Sequence, residues 1–180
     1  MLELEKNLEE VAFLQQRLSW LFIGIALTII IILFVSSSQT YEEQSLTSSL
    51  DKLLANKPFE QQLSAISFHY AGSEISIAAK GYSSFIEFFI RKGAHFFSYA
   101  LLGFSLFMGF SAFIKRTWLV ISLSAGIPLG YAAMDEFHQM LTGGRTPLVQ
   151  DVLLDFSGAI VGLLIAYVVI KQIRKRDILS

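Results

Sequence analysis

Four apolar runs dominate the pattern of hydrophobic and polar positions along the chain. The first extends from Trp20 to Val35 without a charged residue and approaches the roughly 17 to 25 residues that cross the hydrocarbon core of a bilayer. Three later runs have a similar apolar character. The pattern therefore predicts four transmembrane helices, TM1 to TM4, over residues 18–35, about 95–114, about 117–138 and about 148–170.

The second apolar run is longer than one perpendicular span requires. It begins near Ser83 and continues for about thirty residues, which exceeds the roughly 25 residues of a long span. We therefore divide the run near Gly93. The residues up to Lys92 would then lie at the membrane surface or form a first turn, and residues 95–114 would cross the membrane.

The segment 36–84, between TM1 and TM2, is polar and is expected outside the membrane core. Leu46, Leu50, Leu53 and Leu54 recur at helical spacing before Pro58, which predicts a short amphipathic helix. The alternating stretches ISFHY and EISIA flank a glycine-containing loop, which predicts a β-hairpin. Because a lone hairpin is only marginally stable, we expect it to rest on the membrane or on the helices.

Composition supports a membrane protein. Of the 180 residues, 53% are hydrophobic and 16% are charged, against roughly 25% charged in an average soluble domain. The net charge of −1 gives no reason to expect nucleic acid as a partner, and the absence of cysteine excludes disulfides and thiolate sites. The sequence thus predicts a single all-α membrane domain over residues 1–180, an up-down bundle of four helices with the small helix and hairpin as an insertion.

The first span has a second interpretation, a cleaved signal peptide, because VSS follows the apolar run. The segment before the run is long, however, and carries Glu3, Glu5, Glu9 and Glu10, unlike a short basic leader. We interpret TM1 as a retained anchor.

Lysine and arginine near the helix ends predict the orientation. TM4 ends in Lys171, Arg174, Lys175 and Arg176, and four spans return the N-terminus to that same side, together with Lys115 and Arg116. We therefore place both termini in the cytoplasm and the segment 36–84 outside, although Arg91 and Lys92 on the outer side reduce the bias.

This topology brings polar residues to the outer ends of three helices. Residues three or four positions apart share a helix face, which gives one row on each of TM2, TM3 and TM4. The candidate ligand-binding residues are Arg91, Lys92, His95, Tyr99, Asp135, Glu136, His138, Gln139, Arg145, Asp151 and Asp155. Glu87 extends the row on TM2. Acids and bases at helix ends also serve simply to fix topology, which is the alternative for Glu87, Lys92 and Glu136.

Asp155 is the residue of this group that most needs a partner. At about 1.5 Å per residue it lies roughly 10 Å below Leu148, within hydrocarbon depth. An ionised carboxylate there costs about 2.5 to 3.5 kcal/mol unless it is paired or protonated. The basic residues within reach are Arg91, His95, His138 and Arg145.

Two further features have mainly structural interpretations. The stretch GAIVG, with Gly158 and Gly162, is a small-xxx-small pattern that lets TM4 approach another helix closely, within the chain or in an oligomer. His69, in the predicted hairpin, is interpreted as a surface residue.

The stretches IRKGAHFFSYALLGF and DEFHQMLTGGRTPLVQDVLLDFSGAIVG resemble the VanZ-like family. That family pairs a Lys-x-x-His-x-x-x-Tyr helix with an Asp-Glu-x-x-Gln element, an arginine and an Asp-x-x-x-Asn helix start. The resemblance covers about residues 82–170. Its matching positions are Lys92, His95, Tyr99, Asp135, Glu136, Gln139, Arg145 and Asp151. Ser98 departs from the pattern, where an acidic residue is common, and so does Asp155, where asparagine is usual.

The resemblance implies a multi-pass protein of the bacterial cytoplasmic membrane, similar to one that confers low-level resistance to the glycopeptide teicoplanin. It implies no reaction and no catalytic residue. The function therefore has to be argued from the polar residues themselves.

Three functions fit those residues. The first is a non-enzymatic envelope protein whose outward site binds a glycopeptide or a lipid-linked cell-wall precursor, since an arginine such as Arg145 grips phosphate or carboxylate. The second is a membrane enzyme acting on a lipid-linked cell-wall or phospholipid substrate, with Asp135 and His138 as an acid/base pair. The third is an ion- or proton-coupled transport subunit that uses the buried carboxylates.

The sequence contains no motif for a nucleophile or a metal. There is no cysteine and no Gly-x-Ser-x-Gly elbow. His95, His138, Asp135 and Asp151 offer possible ligands, but no His-Glu-x-x-His or comparable spacing fixes an ion. We therefore predict no metal site and no cofactor.

Overall fold

The computed structural model of the protein describes residues 2–40, 42–143 and 146–179, with side chains at 13–40, 42–142, 146–173 and 175. Its elements in chain order are α1 (Leu2–Ser37), α2 (Thr47–Leu53), α3 (Glu60–Leu63), β1 (Phe68–Tyr70), β2 (Ser73–Ile75), α4 (Ile77–Lys80), α5 (Tyr82–Phe110), α6 (Thr117–Gly143) and α7 (Val149–Leu179).

Four of the helices are long and apolar enough to cross a membrane. The candidate spans are Phe13–Ser37 in α1, Tyr82–Phe110, Thr117–Thr142 and Val149–Ile173. Each exceeds the roughly 20 residues that cross hydrocarbon at 1.5 Å per residue. The prediction of a mostly helical chain with four apolar helices is confirmed.

Helix α5 runs without interruption from Tyr82 to Phe110. The chain therefore has no helix end at Gly93, and residues 82–92 are the first turns of the same helix. Which part of α5 crosses the membrane stays a prediction. A helical glycine costs only about 1 kcal/mol relative to alanine, which the packing of a long helix offsets. At 1.5 Å per residue its 29 residues span about 44 Å, more than the roughly 30 Å of hydrocarbon, so α5 tilts or extends beyond it.

The insertion between α1 and α5 contains the expected short helix and hairpin. Leu50 is the buried residue of α2, as its leucine spacing predicts. The hairpin is antiparallel, with Phe68 opposite Ile75 and Tyr70 opposite Ser73. His69 is exposed, as predicted.

Hydrogen bonds attach this insertion to the start of α5. Glu87 accepts from the amide of Leu46 at 2.8 Å, and the hydroxyl of Ser83 donates to Asp51 at 2.5 Å. The hydroxyl of Tyr82 donates to the carbonyl of Pro58 at 2.7 Å. These bonds hold α2 and the residues on either side of it, and the hairpin is attached separately, by packing of Phe68 on α5.

Helices α5 and α7 share the most extensive interface in the described part of the chain. Three glycines allow their backbones to approach: Gly103 faces Ala159, Gly158 faces Phe96 and Gly162 faces Ala100. The close approach predicted from GAIVG is thus made to α5 within the chain. Oligomerisation through Gly158 and Gly162 stays a prediction.

The core lies where the four long helices meet. It contains Ala26, Ile29 and Leu33 of α1, Tyr99, Leu102 and Leu106 of α5, Ala132 of α6 and Ala159 of α7. This core fixes the facing sides of α5, α6 and α7 just beneath their polar ends.

Candidate ligand-binding site

A cavity of about 740 Å³, here called the large cavity, lies between the hairpin, α5, the end of α6 and the start of α7. The end of α4 also contributes to its wall. The charged side chains that line it are Lys80, Arg91, Lys92, Glu136 and Asp151, and the aromatic ones are Tyr70 and Phe88. The volume of this cavity and its polar and aromatic lining suit a small ligand or headgroup.

A second space of about 30 Å³, the small cavity, adjoins the large one. The two share Arg91, Lys92, Gln139 and Asp151 in their linings. The small cavity continues to His95 and Asp155. A ligand in the large cavity would therefore lie close to His95 of α5 and Asp155 of α7.

Asp151 holds the wall between the two cavities together. Its Oδ1 atom accepts from the ammonium of Lys92 and from the hydroxyl of Tyr70, both at 2.5 Å. Lys92 also lies over the rings of Tyr70 and Phe88, at 5.0 and 5.8 Å from their centroids. One carboxylate thus ties together α7, α5 and the hairpin.

The environment of Tyr70 favours its neutral form. Burial raises the pKa of the phenol above its ordinary value, and the hydrogen bond to Asp151 and the nearby charges of Asp151, Asp155 and Glu136 act in the same direction. Tyr70 is therefore a donor over the whole physiological pH range.

We expect the hairpin to loosen at alkaline pH. The phenol ionises near pH 10 in the unfolded chain and higher in the folded one, so the free energy of unfolding falls as pH rises above about 10. The loss is small because the ring is partly exposed. The absorbance of tyrosinate, measured as wild type minus Tyr70→Phe, should titrate above pH 10. A difference curve centred at the ordinary value would contradict the hydrogen bond.

His95, Asp135 and Asp155 form a compact group, here called the polar cluster. One ligand-type atom from each lies within 4.8 Å of the others, and His95 Nδ1 is 3.3 Å from Asp155 Oδ2. The two aspartates are 3% and 4% exposed, which is exceptional for ionisable residues. The cluster joins α5, α6 and α7.

Glu136 has a structural contact as well as a place in the cavity wall. Its Oε1 atom accepts from the amide of Leu148 at 2.7 Å, immediately before α7 begins. Amides at a helix start have no partner inside the helix, so a carboxylate from α6 satisfies one of them. Glu136 therefore helps to position the first turn of α7, which carries Asp151.

Comparison with protein-family models shows which family the chain belongs to. The VanZ/LLP1 family model matches residues 22–171, most of the chain, including most of TM1 and the whole insertion. The chain belongs to the VanZ/LLP1 family. No curated protein and no solved structure matches it.

Membership in the VanZ/LLP1 family agrees with the four apolar helices, and both support a multi-pass membrane protein. A connection with antibiotic resistance fits the family name. The match also begins about sixty residues earlier than the resemblance in the two polar stretches, so the first span belongs to the family pattern.

In this VanZ/LLP1 protein most of the predicted site residues converge. Lys92, Glu136, Gln139 and Asp151 line the large cavity together with Arg91, and His95 and Asp155 line the small one. Gln139 donates to Asp135 at 3.2 Å. Tyr99 lies one turn after His95 on the same face of α5 and is completely buried.

Two predicted site residues are placed differently. His138 turns toward α1, where its ring stacks on Phe34 at 4.8 Å and its Nδ1 lies 3.0 Å from the hydroxyl of Ser37. It lines neither of the two cavities, but together with Asp135 it lines a third one of about 220 Å³. Ser37 also interacts with Asp135, so the two residues of the expected acid/base pair share Ser37 as a partner. Arg145 lies outside the described residues.

The sequence argument did not include Tyr70 and Lys80 in the site. Phe68 and Tyr70 are two positions apart in a strand, so both rings project to one side of the hairpin. Phe68 packs on Phe88 and Phe89 of α5. An aromatic pair on one face of a hairpin indicates packing against another element, and that signal was present in ISFHY.

Proposed function

We propose that this VanZ/LLP1 protein binds the anionic headgroup of a membrane-anchored cell-wall molecule in the large cavity, without transforming it. The headgroup carries phosphate or carboxylate, and its source is a lipid-linked cell-wall precursor or a lipid-bearing glycopeptide such as teicoplanin. The single observation that carries the proposal is a cavity of about 740 Å³ whose wall includes Lys80, Arg91 and Lys92.

The charged side chains that line the large cavity favour an anionic ligand. The three cationic side chains outnumber the two carboxylates of Glu136 and Asp151, and Asp151 is already engaged by Lys92. A guanidinium presents several donors in a plane that matches phosphate or carboxylate, which gives Arg91 the central role. Tyr70 and Phe88 add flat apolar surface for a sugar or an aromatic group.

The proposal includes an orientation in the membrane. With both termini in the cytoplasm and the helices in an up-down bundle, the hairpin and the large cavity lie on the extracytoplasmic side. The lysines and arginines after α5 and at the end of α7 support this arrangement through the positive-inside tendency. A cavity on that side is accessible to cell-wall molecules.

Arg91→Gln tests the site. We expect this variant to bind undecaprenyl pyrophosphate in detergent, or teicoplanin, at least tenfold more weakly, because a hydrogen bond to a charged group contributes about 1.5 to 3 kcal/mol. Binding is measured by isothermal titration with each probe separately, which distinguishes the two sources. Protection of cells against teicoplanin should fall in parallel if teicoplanin is the ligand.

Arg116→Gln is the matched control. It removes the same side chain from the exposed turn between α5 and α6, away from the large cavity. Its affinity for both probes should equal that of the wild type. Equal binding by Arg91→Gln and Arg116→Gln at matched expression would refute the proposed site.

A second candidate function is an enzyme that acts on the same headgroup. The observation in its favour is the polar cluster, because His95 and Asp155 adjoin the large cavity through the small one. Release of inorganic phosphate from undecaprenyl pyrophosphate by the purified protein, lost in His95→Gln, would favour it over simple binding.

A further inference from the structure

We propose that the polar cluster, His95 with Asp135 and Asp155, binds a divalent transition-metal ion such as Zn²⁺. The sequence offers no recognisable motif for such an ion because the three ligands come from three different helices. Each is on a regular helix, so their separation in the chain gives no short spacing to detect.

The three ligands of the polar cluster converge. Ligand atoms of the three residues lie within 4.8 Å of one another, and His95 Nδ1 is 3.3 Å from Asp155 Oδ2. Atoms bound to one tetrahedral ion at about 2.1 Å are roughly 3.4 Å apart. The pair from α5 and α7 is already at that spacing, and the ligand atom of Asp135 has to move by at most about 1.4 Å to reach it.

Two buried carboxylate oxygens of the polar cluster lack a well-formed hydrogen bond. Asp155 Oδ1 has no partner among the described residues, and Asp135 Oδ1 has none within hydrogen-bond geometry, although Ser37 interacts with that side chain. Both aspartates are more than nine-tenths buried. A buried carboxylate oxygen without a donor is strongly unfavourable, and a cation bound between the two residues would satisfy both.

Tyr99 adds a third unsatisfied group beside the same residues. Its side chain is fully buried, its hydroxyl lacks a hydrogen-bond partner among the described residues, and the charges of Asp135 and Asp155 act on it. A hydroxyl in that position can donate to a metal-bound carboxylate. Three buried polar atoms without a hydrogen bond therefore belong to the polar cluster and its neighbour Tyr99.

The ligand types favour a transition metal over calcium or magnesium. Mg²⁺ and Ca²⁺ prefer oxygen ligands alone, whereas an imidazole with carboxylates suits Zn²⁺ and its neighbours. Gln139 donates to Asp135 Oδ2 at 3.2 Å, which orients that ligand as outer groups do in metal sites. The small cavity beside His95 and Asp155 has room for water as a further ligand.

A shared proton is the competing explanation. The pair His95 and Asp155 would then be a simple ion pair, with Asp135 protonated beside it. Lys92, Arg91 and Asp151 line the same small cavity, so their charges also act on the cluster. The two explanations differ in one measurable respect. A metal site leaves a stoichiometric metal ion on the purified protein, and a shared proton does not.

The test is the metal content of the full-length, tag-free protein in detergent. After incubation with Zn²⁺ and exhaustive dialysis, we expect mass spectrometry to find about one ion per chain. Titration against a chelating competitor should show at least tenfold weaker binding in Asp155→Asn and His95→Gln. Glu87→Gln is the matched control and should retain the ion, because that buried carboxylate on α5 bonds to Leu46 and lies outside the cluster.

A spectroscopic variant keeps the test decisive if Asp155→Asn fails to fold. The chain contains no cysteine, so His95→Cys introduces its only thiol. Binding of Co²⁺ should then give a thiolate-to-metal band in the near ultraviolet that the wild type lacks. A wild-type protein that retains no ion overturns the proposal, and so does equal retention by wild type and His95→Gln, which would indicate an adventitious ion only. Neither measurement uses a headgroup, so failure here is separate from failure of the proposed function.

Discussion

Replacing Gly162 with alanine is expected to destabilise the protein by about 3 kcal/mol, at the upper end of what overpacking usually costs. A Cβ atom at this position would lie 1.7 Å from the carbonyl oxygen of Ala100 and 2.6 Å from its carbon. Both are backbone atoms of α5, so no side chain can rotate away. Helix α7 would have to move outward and would lose contact along its interface with α5.

The measurement is thermal unfolding of purified protein in detergent, compared with Gly126→Ala. Gly126 lies in α6 with nothing within 4 Å of the position that a Cβ would take. Alanine there should raise stability, by up to about 1 kcal/mol, through helix propensity alone. The two substitutions are chemically identical and are expected to shift the midpoint in opposite directions. A midpoint unchanged or raised in Gly162→Ala would contradict the close approach of α5 and α7.

The glycines show how much of the fold the sequence could predict. The spacing of Gly158 and Gly162 identifies a face of TM4 that permits close approach. It does not identify the partner helix. That partner depends on Gly103 and on the register of two helices whose contacting residues are more than fifty positions apart in the chain. The local sequence pattern identifies the face of the helix that packs closely. The residues that this face contacts are known only from the folded chain.

The full length of α5 was not predicted for a related reason. Matching the apolar run to the thickness of a bilayer divides the run near Gly93 and does not say where the helix begins. In the structure the extra turns of α5 support the insertion, through Ser83, Glu87 and Phe89. Membrane thickness limits what lies in lipid, but it does not end a helix that has other elements to contact.

The candidate site was more predictable than its details. Rows of polar residues on three helices placed His95, Asp135 and Asp155 near one another, and the structure brings them together. The direction of His138 was not predictable, because positions 135, 138 and 139 are neighbours on one helix and small rotations decide which neighbour each residue meets. His138 meets α1 at Phe34.

Phe85→Ala is expected to cost about 3 to 5 kcal/mol, the usual range for removing a buried phenylalanine. The side chain is completely buried, and its ring packs edge-on against Phe89 at 5.0 Å between centroids. Phe89 in turn contacts Phe68 of the hairpin at 6.1 Å. Loss of the Phe85 ring therefore removes support from the residue that carries the hairpin, which forms one wall of the large cavity.

Phe97→Ala provides the comparison, since Phe97 lies on the same helix and is 71% exposed. In detergent its removal should change the thermal midpoint little. Hydrogen exchange should separate a local effect from a global one. In Phe85→Ala, amides of 68–75 should exchange faster than in Phe97→Ala, because Phe89, which contacts the hairpin, has lost the support of the Phe85 ring. Equal midpoints for the two variants would show that the aromatic contacts between α5 and the hairpin do not support the cavity wall. If the expected difference is found, the position of Tyr70 beside Lys92 and Asp151 depends on ring contacts that begin at Phe85. Phe85 lies about three helical turns before the polar cluster.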